Sequence, residues 1–108
     1  MGTATVEVSG AEAASWAAEL HAALVANVRP GESVSPVEVQ RSAEVVIAVI
    51  GLVFAGVDTV KNIWDWWDSH RPQGVAVTIL LADGTRLDVS NVSPAELESI
   101  VQRAVSQR

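Results

Sequence analysis

The chain has no cysteine, and this absence excludes several classes of protein. Without thiols it can hold neither a disulfide framework nor a thiolate-bound metal ion, and the redox state of its compartment stays open. Aromatic residues are also scarce, at 5% of the sequence, and Ala and Val supply most of the 49% hydrophobic content. A hydrophobic fraction this high excludes an intrinsically disordered tail.

Basic residues are few as well. Seven Lys and Arg stand against 13 Asp and Glu, which gives a net charge of -6. The Arg residues are scattered along the chain, so a phosphate backbone would be repelled and nucleic acid is not an expected partner. The first seven residues show no basic segment followed by an apolar run, so we expect no secretory signal and a cytoplasmic protein. A length of 108 residues fits one domain, residues 1–108.

The first elements are a strand and a helix. Residues 5–8 alternate with period two, which predicts a short strand with one buried face. Ser9 and Glu12 have the spacing of a capping box, which predicts that a helix begins at about residue 10. An apolar stripe then follows at helical spacing, formed by Ala13, Trp16, Ala17, Leu20 and Leu24.

Residues 35–40 fit two structures. After a loop over 27–35 that contains Pro30-Gly31, residues 37–40 alternate as in a strand. Ser35-Pro36-Val37-Glu38 also fits the start of a helix. We favour the strand, because both Val residues are β-branched and because a helix from Pro36 to Ser69 would be unusually long.

The segment from Ser42 to Ser69 predicts one long helix. Its apolar residues recur at alternating spacings of four and three, as in a helical seam. They are Val46, Ile50, Val53, Val57, Val60, Trp64 and Trp67.

The rest of the chain predicts a hairpin and a last helix. Residues 75–81 alternate, Asp83-Gly84 tolerates positive φ, and Leu87 and Val89 resume the alternation. Ser93-Pro94-Ala95-Glu96 is a capping box ahead of an amphipathic stretch to about residue 105.

These elements predict a two-layer α+β domain that is ferredoxin-like in character. The expected order is strand, helix, strand, long helix, hairpin, helix, which is not the ferredoxin order. A right-handed crossover would make the first two strands parallel, and the hairpin would add an antiparallel pair to the same sheet. Helices would cover one face of that sheet.

The uncharged segment 45–57 has three interpretations. A core helix is the simplest, because a membrane span needs roughly 20 apolar residues. A membrane-active protein that inserts this segment on activation is the alternative, with Trp64, Trp66 and Trp67 as an interfacial belt. Acidic residues at 58, 65 and 68 interleave with those Trp residues and argue against it.

The third interpretation is a helix that binds another protein chain. The helix face away from the seam would be small and nearly uncharged, where a solvated face would carry Glu, Lys and Arg. Such a surplus of apolar surface predicts self-association or contact with a partner protein. The residues proposed to bind a partner are Ala48, Gly51, Leu52, Ala55, Thr59, Asn62 and Trp66.

The sequence shows no pattern typical of a catalytic, cofactor or metal site. His21 and His70 lack metal-ligand spacing, and the Gly residues form no phosphate-binding motif. Residues 65–70 place acids, a hydroxyl and an imidazole close together, but a His at a helix C-terminus is explained by the helix dipole alone. We therefore expect a protein without enzymatic activity or cofactors.

The predicted order of elements resembles the effector-associated constant component family of bacteria. It has a short strand and helix, a Pro-Gly loop, a long apolar Ala/Val-rich helix that ends in Trp residues, a hairpin over residues 74–89, and a final helix with Leu97, Ile100 and Val101. The resemblance covers nearly the whole chain, and its most specific piece is the Asp-Gly turn followed by Arg86-Leu87-Asp88-Val89. The chain departs from the family where a Gly-Ser-Gly-rich start is common, since Val45-Val46-Ile47-Ala48 stands there. The resemblance implies a small non-enzymatic adaptor encoded beside effectors such as trypsin-like proteases, in bacterial conflict systems thought to act against phage.

Overall fold

Three helices pack on one face of an antiparallel sheet in the computed structural model of the chain, which describes residues 2–41, 46–54 and 57–106. The strands are β1 (Gly2–Gly10), β2 (Ser33–Val34), β3 (Glu38–Arg41), β4 (Val46–Phe54), β5 (Val75–Leu81) and β6 (Arg86–Asp88). The helices are α1 (Ala13–Ala26), α2 (Val57–His70) and α3 (Pro94–Ser106), and a 3-10 turn over Val89–Asn91 precedes α3. The predicted two-layer α+β class is confirmed.

The sheet contains two split β-α-β units. Its strand order is β2-β4-β1-β5-β6, and β3 also pairs with β4. Every pairing is antiparallel. Strands β1 and β3 therefore run in the same direction with β4 between them, and β4 and β5 run in the same direction with β1 between them. The predicted parallel direction of the first two strands is confirmed for β1 and β3, and β4 lies between them.

The single long helix predicted over residues 42–69 was also wrong. Residues 46–54 form the strand β4, and the helix α2 begins only at Val57; residues 42–45, 55 and 56 lie outside the described part. Five of the nine residues of β4 are Val or Ile, whose branched side chains suit a strand. Because β4 carries apolar residues on both faces, it gives a continuous apolar run, which also fits helical spacing. With β4 as a strand, and with β2 and β3 counted as one because both pair with β4, the element order through β5 is the β-α-β-β-α-β of ferredoxin-like folds.

The chain changes from β1 to α1 later than the sequence predicts. Ser9 lies within β1, where it is paired with Ile47 and Ala76, so it does not cap a helix. The helix begins at Ala13, and Glu12 at its N-cap makes no side-chain capping bond. Pairing on both sides keeps β1 extended through Gly10. The predicted stripe of α1 faces the core, with Trp16 half-buried and the other four residues buried.

The predicted second strand, hairpin and cap of the last helix are confirmed, whereas the predicted loop over 27–35 contains the short strand β2. The predicted strand at 37–40 corresponds to β3, and the predicted hairpin to β5 and β6. In the turn, Gly84 has φ +93°, and the Thr85 amide donates to Oδ1 of Asp83 at 2.9 Å. Hydrogen bonds from the Thr85 backbone and side chain lower the pKa of Asp83. At the start of α3, the Glu96 amide donates to Oγ of Ser93 at 3.2 Å, which is the predicted cap.

The core lies between the sheet and the helix layer. The middle residues of the three long strands, Val6, Ile50 and Ile79, are each 0% exposed. They pack with buried residues from all three helices, including Leu20, Ile63 and Leu97. Among the described residues, no polar or charged residue is buried. Burial of apolar surface on one face of the sheet therefore holds the two layers together.

We predict that Gly10→Ala destabilises the fold by about 3 kcal/mol. A Cβ at Gly10 would lie 2.2 Å from the carbonyl oxygen of Gly74, and the φ of Gly10 is +138°. Gly74→Ala is the matched control, since its φ is also positive but nothing lies within 4 Å of the added Cβ. The control should cost only about 1 kcal/mol in urea unfolding. Equal losses for the two variants would contradict the predicted clash.

Candidate interaction surface

The face of the sheet opposite the helices is the candidate functional site, and we call it the outer sheet face. Strand residues alternate between the two faces, so this face carries the residues that lie between the buried core positions. Its members are Thr3, Thr5, Glu7 and Ser9 of β1; Ile47, Val49, Gly51 and Val53 of β4; Ala76, Thr78 and Leu80 of β5; and Ser33, Glu38, Gln40, Arg86 and Asp88 of the flanking strands β2, β3 and β6.

Strands β1 and β4 differ in chemistry on this face. All four outer residues of β1 are polar, which is typical of a sheet face that meets water. On β4 the corresponding residues are Ile47, Val49 and Val53, all half-buried, together with Gly51. We call these four the β4 stripe. Strand β4 is therefore apolar on both faces, although the helices cover only one of them.

Polar and charged residues border the β4 stripe on both sides. Val49 is paired with Glu38 on one side and with Glu7 on the other. The same row continues from Glu7 to Thr78 and Asp88. An apolar centre with a polar rim is the usual composition of a protein–protein interface.

The charges on this face belong mainly to β1, β3 and β6. Nη2 of Arg86 lies 3.4 Å from Oε2 of Glu7, with the Arg86 side chain 60% exposed, so this ion pair adds little to stability. Oδ1 of Asp88 accepts hydrogen bonds from the amide and the hydroxyl of Ser90 at 3.1 and 2.7 Å. These bonds hold the Asp88 carboxylate at the end of β6.

A β-bulge shapes the edge beside the stripe. Val34 pairs with Leu52 and Glu38 with Val49, so three residues of one strand face two residues of β4. The Ser35 amide donates to the carbonyl oxygen of Gly51 at 2.9 Å, and Oγ of Ser35 accepts from the Gly51 amide at 2.7 Å. A Cβ at Gly51 would lie 2.9 Å from that Oγ, which explains the glycine inside a strand. Gly51 leaves a gap in the β4 stripe.

The seven residues proposed from the sequence to bind a partner do not form one surface. Ala48 and Leu52 are buried beneath the helices at 0% and 3% exposure, and Trp66 is 7% exposed within the core. Gly51 lies on the opposite face of β4, in the stripe. Thr59 and Asn62 are half-buried on α2, and Ala55 lies outside the described residues. The grouping depended on a helix that does not form.

Sequence reasoning missed Ile47, Val49 and Val53 as surface residues. The signal was present, because the run from Val46 to Phe54 is as typical of a buried strand as of a helix. Interpreted as a strand, the run places these three residues on the face opposite Ala48 and Leu52. The residues assigned to one surface therefore depended on whether the run was given the 3.6-residue period of a helix or the two-residue period of a strand.

Residues at the end of α2 pack against one another. The His70 ring stacks on Trp66 at 4.9 Å between centroids, and Trp16 meets Trp66 edge to face at 6.0 Å. Nδ1 of His70 lies 2.8 Å from the carbonyl oxygen of Trp66. These contacts hold the C-terminal end of α2 against α1.

No family model and no curated protein matches the chain. None of the described helices combines the length and the apolar character that a membrane crossing requires.

We predict that Ser35→Ala lowers the free energy of unfolding by about 1 kcal/mol. The substitution removes the hydroxyl that accepts from the Gly51 amide and leaves that amide without this partner. Ser33→Ala is the control, since Ser33 is also exposed and lies on the same edge. It should change stability by less than about 0.5 kcal/mol in urea unfolding. If Ser35→Ala changes the free energy of unfolding as little as the control does, the bulge does not depend on that hydroxyl.

Proposed function

We propose that the chain is a non-enzymatic protein-binding adaptor that associates with itself through the outer sheet face and partners an effector protein in a bacterial defence system. The observation that carries self-association is the β4 stripe. It places Ile47, Val49 and Val53 in the middle of a face on which the neighbouring strand β1 presents only polar residues.

Burial of the β4 stripe against another chain would be favourable. Each Å² of apolar surface removed from water contributes roughly 25 cal/mol, and the polar rim keeps the separate chains soluble. Strand pairing makes the face a fixed platform, so little conformational entropy is lost when it binds. A two-fold dimer is the commonest arrangement for a surface that binds its own copy.

The effector part of the proposal rests on the family resemblance. The hairpin β5–β6 and the Arg86-Leu87-Asp88-Val89 segment are its most specific pieces. The resemblance suggests a trypsin-like protease as one class of effector. The net charge of -6 favours a protein partner over nucleic acid.

The adaptor is preferred to the alternative of a membrane-active protein because of the position of β4. That alternative inserts residues 45–57 as a helix, whereas residues 46–54 are paired with β1 on one side and with β2 and β3 on the other. Insertion would first have to break both sets of backbone hydrogen bonds. Association with another protein through the outer sheet face breaks none of these hydrogen bonds.

We predict that wild-type protein sediments as an oligomer and that Val53→Lys raises the dissociation constant by at least about 100-fold. Val53 is paired with Thr3 and Ser33, so an ammonium group at this position of the stripe would lose its hydration without gaining a charged partner. Analytical ultracentrifugation over a concentration series measures the change, and circular dichroism confirms that the variant is folded.

Ala22→Lys is the matched control for this experiment. It adds the same charge at an exposed position of α1, in the helix layer, and should leave association unchanged. Wild-type protein that stays monomeric at every concentration would refute self-association. An equal loss for both variants would point to net charge and not to the stripe.

A further inference from the structure

We infer that the outer sheet face takes a second copy of this chain in one orientation, with a two-fold axis that crosses the strands at the level of Ile50. This inference rests on the proposed self-association and adds the geometry of the partner. It follows from the strand register, which places apolar and charged residues symmetrically about one row of the sheet.

That row is defined by backbone pairing. Val6 pairs with both Ile50 and Ile79, and Ile79 pairs with Leu87. The four residues therefore lie in a line across β4, β1, β5 and β6, with their side chains toward the helices. On the outer sheet face, each of these strands has one residue immediately before the line and one immediately after it.

A two-fold axis along this row matches the β4 stripe with itself. It brings Val49 opposite Gly51 of the second copy, and Ile47 opposite Val53 of the second copy. The Val49 side chain then meets the gap that Gly51 leaves in the stripe. An isologous interface requires this kind of match, in which one patch fits a copy of itself.

The same axis brings opposite charges of the two copies together at β6. Arg86 and Asp88 lie on either side of Leu87, so Arg86 of each copy faces Asp88 of the other. On β1, Glu7 faces Thr5 of the second copy and meets no carboxylate there. Aligned sheets cross at about 30°, and the long Arg side chain can span the offset that this rotation produces at β6.

The charges disfavour the other orientation that would bury the stripe. A two-fold axis parallel to β4 would also stack the stripe on itself, but it would place Glu38 of one copy over Glu7 of the other. Those two residues flank Val49 in the same row. Like charges brought together at an interface are strongly unfavourable, so the axis across the strands is selected.

A charge exchange tests the orientation. Arg86→Asp alone and Asp88→Arg alone should each raise the dissociation constant at least about ten-fold, because each variant faces its own copy with like charges. An equimolar mixture of the two variants should form heterodimers, since both contacts then join opposite charges. Sedimentation velocity with one variant carrying a fluorescent label measures the mixture.

A second test avoids the residues that hold β6, since Asp88 also caps the 3-10 turn. The chain has no cysteine, so Thr3→Cys and Ser9→Cys each introduce a single thiol. In the inferred dimer Thr3 faces Ser9 of the second copy, and only the mixture should be joined by a short thiol crosslinker. With an axis parallel to β4, Thr3 would instead face Ser33 of the second copy, so a mixture of Thr3→Cys and Ser33→Cys would crosslink.

The outcomes separate the two proposals. Crosslinking of Thr3→Cys with Ser33→Cys and not with Ser9→Cys, or charge variants that associate like wild type, overturns the orientation and leaves self-association standing. A monomeric wild-type chain overturns both. Heterodimers that form only in the mixtures support the orientation.

Discussion

Pairing of β4 on both of its edges is the constraint on which the other elements depend. Strand β4 bonds to β1 on one side and to β2 and β3 on the other, so it lies in the interior of the sheet. In the sequence it comes between β3 and α2. Its insertion between β1 and β3 turns the first crossover into a split β-α-β unit. The second crossover, through α2, then has to place β5 on the free edge of β1. Both crossovers put their helices on the same face of the sheet, which produces the two layers.

The two faces of β4 meet different surroundings. Toward the helices, Ala48, Ile50 and Leu52 lie in a core that excludes water. Away from them, Ile47, Val49 and Val53 lie level with polar side chains from the neighbouring strands and are only half-buried. The fold does not require apolar residues on the outer face of a strand when that face of the sheet meets water. The β4 stripe is therefore the part of this molecule that intramolecular packing explains least well.

Apolar contact and charge would have separate roles in an association through this face. The β4 stripe supplies surface that water disfavours, which favours contact but not any one orientation. The acidic and basic side chains at the rim distinguish one alignment from another. Their interaction energy is favourable where opposite charges of the two copies meet and unfavourable where like charges meet. A chain with a net charge of -6 needs such a rim if its copies are to meet in one arrangement.

Local signals in the sequence determined the hairpin, the start of α3 and the buried side of α1. The Asp83-Gly84 turn, the Ser93 cap and the spacing of Leu20 and Leu24 depend on contacts between residues close together in the chain, so they could be predicted without a structure. The α+β class followed from these elements.

Only the tertiary structure decided between strand and helix for residues 46–54. An apolar run of this length satisfies both periods, and the choice depends on whether distant partners such as β1 offer free backbone hydrogen bonds. The predicted partner-binding residues no longer share one surface, since a helix puts Ala48, Gly51 and Leu52 on one side whereas a strand separates Gly51 from the other two. Side-chain direction follows from backbone pairing, and that pairing joins residues too far apart in the chain for local patterns to predict.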